Sequence, residues 1–147
     1  SMTNSRGFTL VEALLVISLA AVIIVISTRT FGAITSRYAA EQGRLVFESL
    51  HARARAQAIE SGTMTRLVVD TGADSVTVVR DGIQLETVHF SGEMGIDIQG
   101  NSLELCMGPR GFAVTDCNSF SSIERLTFVQ GSYSDGLDIL PLGQLVK

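Results

Sequence analysis

The chain has 147 residues, 46% of them hydrophobic and 18% charged, which leaves room for one long apolar segment and one domain of roughly 100–120 residues. Its formal net charge of −4 is unevenly spread: residues 1–62 hold six arginines against four glutamates, and residues 63–147 hold five basic and eleven acidic groups. An acidic C-terminal part argues against broad docking on a phosphate backbone, which needs clustered Lys and Arg.

The chain opens with Gly7-Phe8-Thr9-Leu10-Val11-Glu12 and an apolar run that continues to Ile26. At about 1.5 Å per residue a helix from Phe8 to Ile26 spans about 28 Å, close to the ~30 Å hydrocarbon core of a bilayer. Glu12 is the single charge within that run. A carboxylate at such a depth costs roughly 2.5–3.5 kcal/mol on insertion scales, so it marks a functional position in need of a partner. A secretory signal predicts a shorter core, of about 7–15 residues, and a small-residue cleavage site after it. Here the run passes into Ser27-Thr28-Arg29-Thr30-Phe31 with no such site. A plain membrane anchor leaves Glu12 and the Gly7-Phe8 junction unexplained. Arg6 favours keeping this end in the cytoplasm, and Arg29 on the far side weakens that asymmetry.

The Gly7–Glu12 hexapeptide and the uninterrupted run behind it resemble the N-terminal signature of type IV pilin-like proteins, the pilins and pseudopilins. The resemblance implies that residues 1–7 are a leader, with Ser1 ahead of Met2 reading as an expression scar. A prepilin peptidase would cut between Gly7 and Phe8 and methylate the new N-terminus of Phe8. Residues 8–27 would be the transmembrane and polymerisation helix, inserted once through the bacterial inner membrane, N-terminus cytoplasmic and C-terminal domain periplasmic. Glu12 would be the acid used in subunit assembly. The implied partners are other pilin or pseudopilin subunits and an inner-membrane assembly platform; the acidic composition speaks against nucleic acid. Cleavage exposes an α-amino group at Phe8, and Glu12, one helical turn on, can neutralise such a group on a neighbouring subunit. Two charges that are each costly in lipid are tolerated as a pair. Their pairing selects a helix stagger, as a buried polar residue does in a coiled coil. Ser18, Ala20 and Ala21 are small enough for close helix approach or are ordinary transmembrane composition.

No Pro interrupts residues 8–61. Phe31, Ile34 and Tyr38 fall at helical spacing, as do Phe47, Leu50, Ala54 and Ala58, and Ser61-Gly62 is a plausible stop. The pattern predicts one helix over 8–61, with residues 28–61 forming its periplasmic half. Arg44, His51, Arg53 and Arg55 read as a solvated basic face, with Glu41, Glu48 and Glu60 nearby for pairing.

Beyond Gly62 the texture turns to short alternating runs. Strands are predicted at 64–70, 75–80, 83–90, 96–99, 102–107, 112–115, 123–129, 138–140 and 144–146, with turns at Thr71–Asp74, Asp81-Gly82, Gly108–Gly111 and Pro141–Gly143. Ser91–Gly95 reads as a loop. The expected fold class is α+β: a long N-terminal helix, transmembrane in its first half, packed on an antiparallel β domain over 62–147. Cys106 and Cys117 bracket the Pro109 turn. In a domain beyond a membrane segment they read as one disulfide, the alternative being two buried thiols.

Ala52–Ile59 with Gly62 and Arg66-Leu67-Val68, together with Gly108–Ala113 and Leu140–Gly143, resemble a subfamily that holds the type II secretion pseudopilin H and related minor pilins. This implies a minor pseudopilin of a type II secretion pseudopilus, or else a minor pilin of a type IV pilus serving assembly, adhesion or DNA uptake. DNA-binding members of that subfamily end in a Gly-Arg-x-Arg type motif. The matching stretch here is Gly143-Gln144-Leu145-Val146-Lys147, which lacks both arginines.

Nothing in the sequence suggests an enzyme or a cofactor. His51 and His89 belong to no metal or triad pattern, and no Gly-rich phosphate loop carries a Lys. Asp135 and Asp138 around Gly136 are too sparse for a dedicated Ca²⁺ cage and read as turn and strand-edge acids.

Overall fold

The computed structural model describes residues 8–147, so the leader, with Arg6 and Gly7, lies outside the described residues. The chain divides into two compact units, Ser1–Thr35 and Ser36–Lys147, and helix α1 (Leu10–Ser61) contributes to both. In the first unit α1 passes through Gly32 unbroken. A Cβ at Gly32 would meet nothing within 4 Å.

In the second unit α1 presents Ala40, Gly43, Arg44, Phe47, Leu50, His51, Ala54 and Ala58 to the interior. These positions recur every three or four residues, the spacing of one helix face. Gly43 is there because the sheet comes close: a Cβ on it would lie 2.8 Å from Ile96 Cδ1 and 3.3 Å from Phe128 Cβ. The helix ends at Ser61, and Gly62 follows with φ +67°, the left-handed conformation that closes helices and suits Gly.

Among the described residues, eight strands form two antiparallel sheets of four. The first, in spatial order β3-β2-β1-β5, contains β1 (Thr65–Asp70), β2 (Ser75–Arg80), β3 (Ile83–His89) and β5 (Leu103–Met107). The second, in order β4-β6-β7-β8, contains β4 (Asp97–Gln99), β6 (Glu124–Gln130), β7 (Tyr133–Ile139) and β8 (Leu145–Val146). The period-2 alternation of β1 sends Thr65, Leu67 and Val69 inward. Leu105, Leu126, Phe128, Leu137 and Ile139 join them against Phe47 and Leu50. Phe128 is the aromatic hub, with ring centroids 5.8 Å from Phe47 and 5.6 Å from Phe90.

Three segments differ from the sequence reading. Phe90 does not end β3 but opens a short helix, α2 (Phe90–Met94), where a loop was expected. Phe90 is fully buried, and Ile96 N–H donates to Phe90 O, so the turn is held by core packing. Residues 112–115 form no strand; only Ala113 bridges to Met107. The edge of β5 is instead covered by the segment after Cys117. Glu104 N–H donates to Ser119 Oγ (2.8 Å) and Cys106 N–H to Asn118 Oδ1 (2.9 Å). Finally, β7 begins five residues before the predicted strand at Asp138, because Tyr133–Gly136 pair with Thr127–Gln130 of β6.

Candidate functional site

The N-terminal segment is built around Thr9. Glu12 N–H donates to Thr9 Oγ1 (3.3 Å) and Ala13 N–H to Thr9 O (3.1 Å), so Thr9 is the N-cap of α1. Phe8 precedes the helix and is exposed. The helix thus begins at Leu10, two residues after the start read from the sequence. Thr9 and Glu12 stand at capping-box spacing, a Thr followed three residues later by Glu just before an apolar run. That signal is readable in the sequence.

Behind the cap, every large apolar side chain from Leu10 to Ile26 is exposed, Leu10 to 77%. By length and composition α1 is long and apolar enough to cross a membrane. Its hydroxyl groups turn back on the helix. Ser18 Oγ donates to Leu15 O (2.9 Å), Ser27 Oγ to Ile23 O (2.8 Å) and Thr28 Oγ1 to Val25 O (3.1 Å). Hydrocarbon offers no partner, so internal satisfaction suits these groups to lipid. Between Leu10 and Thr28 that leaves the carboxylate of Glu12 as the polar group no helix carbonyl can satisfy.

In the second unit Arg53 and Arg55 of the basic face of α1 are exposed as expected, but Arg44 and His51 are buried. Arg44 is only 8% exposed. Its Nε donates to Asp135 Oδ2 (2.8 Å), and its Nη1 pairs with Glu48. Hydrogen bonding to Asp135 holds the guanidinium above its ordinary pKa against the opposing effect of burial, with Glu48 adding to the rise. For Asp135, burial pushes upward, but the hydrogen bond and charge of Arg44 outweigh it, and the carboxyl sits below the usual range. His51 is also buried, with Nε2 2.7 Å from Gly143 O. Burial lowers its pKa, the bond to Gly143 opposes that, and the nearby Arg55 charge lowers it further. These two residues fasten α1 to β7 and to the last turn. Arg53 stays on the surface and pairs with Glu86 (2.6 Å).

Asp135 and Asp138, weighed above for Ca²⁺, are held by arginines: Asp138 accepts from Arg125 Nη1 at 3.0 Å. In the stretch that stands in for the DNA motif, Gly143 is buried and Gln144 exposed, and Lys147 Nζ lies 4.0 Å from Asp135. Cys106 and Cys117 form a disulfide with Cα atoms 5.8 Å apart, closing the loop that carries the Pro109 turn.

Residues 2–28 match the family model of the prokaryotic N-terminal methylation motif. No curated protein matches the chain. The structure is similar to the crystal structure of the type IV minor pilin FimU of Pseudomonas aeruginosa strain PAO1, with a TM-score of 0.57 at 12% identity over 77% of this chain and 90% of that one. At that identity the likeness speaks for the fold alone. Motif and fold together define a type IV pilin-like protein. The fold, a long N-terminal helix packed on antiparallel sheets, is the pilin fold.

Proposed function

We propose that this chain is a minor, non-enzymatic subunit of a filament built from pilin-like proteins, and that its machine is a type II secretion pseudopilus. The observation that carries the reading is the stretch from Leu10 to Thr28: its hydroxyls are satisfied by helix carbonyls, and its one charged group, Glu12, lies in the first turn.

In this account a prepilin peptidase cuts between Gly7 and Phe8 and methylates Phe8. The apolar segment over 8–27 holds the subunit in the inner membrane, with its N-terminus cytoplasmic and residues 28–147 periplasmic, until the assembly platform moves it into the filament. There the Phe8 amine of one subunit meets the Glu12 carboxylate of another. The capping by Thr9 supports this step, since it keeps the helix wound up to Leu10 and fixes where Glu12 stands relative to Phe8.

Mass spectrometry of the chain recovered from assembled filaments tests the proposal. The expected mass corresponds to N-methyl-Phe8 through the C-terminus; a chain that works with its leader still attached contradicts it. A second reading, a minor pilin of a type IV pilus, is favoured by the fold likeness to FimU. Deleting the gene in its host separates the two readings. Loss of protein secretion with surface pili intact supports the pseudopilus, and loss of pili with secretion intact supports the pilus.

A further inference from the structure

One surface feature of the second unit lies outside the filament reading. A groove of about 660 Å³ runs between α1 and two turns of the sheets, bounded by Glu48, His51, Arg55, Phe112, Leu142 and Leu145. Its volume falls in the range of ordinary ligand-binding clefts. Two of its walls are apolar side chains left in water: Phe112 is 60% and Leu142 55% exposed.

The charges along the groove are not balanced. Glu48 is already paired with Arg44, and His51 is occupied by Gly143 O. Arg55 has no carboxylate within ion-pair distance among the described residues. It stays beside the groove because Gly111 gives it room: a Cβ there would lie 3.1 Å from Arg55 Nε. Among the residues lining the groove Arg55 is thus the one unpaired guanidinium, beside an exposed aromatic ring and an exposed leucine. A guanidinium is the side chain best shaped to take a carboxylate through two parallel hydrogen bonds.

We propose that this groove docks an extended segment of a partner protein in which an apolar side chain neighbours a carboxylate. The apolar group seats between Phe112 and Leu142, and the carboxylate pairs with Arg55. Charge complementarity selects this occupant over a nucleic acid, because a phosphate backbone needs several cations and Gln144 stands where one could have been. The assignment is independent of which filament machine the chain serves.

The test uses the full chain in lipid nanodiscs and a short dye-labelled peptide of alternating Glu and Leu, read by fluorescence anisotropy. Saturable binding is expected, weakened at least about tenfold by Arg55→Glu and by Phe112→Ala, as for residues at the centre of an interface. Arg55→Lys should lose less, and Arg125→Glu, on a different surface, should lose nothing. Peptides of alternating Lys and Leu or of Glu and Gly should fail to bind. Phe112→Ala and Leu142→Ala alter exposed side chains and so report on the groove even if a charge reversal at Arg55 disturbs folding. The proposal is overturned if the Glu-Leu peptide does not bind, if binding ignores both Arg55→Glu and Phe112→Ala, if the Lys-Leu peptide binds equally well, or if single-stranded DNA or a second copy of the chain displaces the peptide.

Discussion

Arg44 and His51 show how a charged residue becomes structural. Each lies on the buried face of α1, and each meets its partner about 90 positions along the chain: Asp135 for Arg44, and the carbonyl of Gly143 for His51. Removing a fully buried ionic partner costs about 3–5 kcal/mol. The Asp135 and Glu48 side chains are 20% and 36% exposed and can turn to water, so Arg44→Ala should cost less, about 1–2 kcal/mol after solvent screening. Chemical denaturation of Arg44→Ala, Asp135→Ala and the double variant checks this. The two single costs should not add, and full additivity would mean the pair contributes no coupling. For His51, burial holds the folded-state pKa below the ordinary value of 6.5. The folded chain therefore resists a proton that the unfolded chain accepts. Its contribution is complete above about pH 6.5 and is lost as pH falls toward the lower folded-state value. His51→Gln keeps a donor for Gly143 but cannot titrate. Melting curves between about pH 5 and pH 7.5 should be steeper in pH for the parent than for the variant; equal slopes would remove this role from His51.

Elements were legible in the sequence where local pattern and tertiary demand agreed. The end of α1 at Ser61-Gly62 and the β1–β2 hairpin follow from a helix-closing Gly and from clean alternation. β7 was partly hidden because Ser134-Asp135-Gly136 carries no apolar signal. Its strand conformation is imposed by pairing with β6, where a Cβ on Gly136 would stand 3.1 Å from Leu126 O. Phe112–Thr115 misled for the opposite reason: Phe112 looks like a strand residue, yet its ring is in water and the backbone there serves a turn, Gly108 N–H donating to Phe112 O. The disulfide was readable as one of two alternatives, but the work of its loop was not. Asn118 joins the two sheets, accepting from Cys106 N–H and donating to Pro141 O, both at 2.9 Å. Closing a loop of this length stabilises by about 3 kcal/mol in the chain-entropy model. The Cys106→Ser, Cys117→Ser double variant should lose about that much in chemical denaturation. Asn118→Ala with the disulfide intact should lose about 1–2 kcal/mol, for two hydrogen bonds. A loss in Asn118→Ala below a few tenths of a kcal/mol would show the loop to be held by the disulfide alone.

At the scale of the molecule the chain has two parts of different surface character. The first unit exposes nearly all its apolar side chains and satisfies its hydroxyls from within. The second buries a core of its own around Phe47, Phe90 and Phe128. Gly7-Phe8 and Glu12 stand out in the sequence against an uncharged run, and to these the structure adds the Thr9 cap on the helix. The anchorage of α1 to the β domain was not legible there, since it depends on which charges the packing encloses. The account as a whole rests on Glu12 being tolerated in lipid only because a second chain answers it. Replacing it should ease insertion by roughly 2.5–3.5 kcal/mol while removing the pair that fixes the stagger between helices. The direct measurement is quantitative immunoblotting of Glu12→Ala in two fractions from cells expressing the full assembly machinery: the inner membrane and the sheared or purified filaments. The account predicts an unchanged membrane pool and near-complete loss from filaments. Incorporation at the parent level would contradict it.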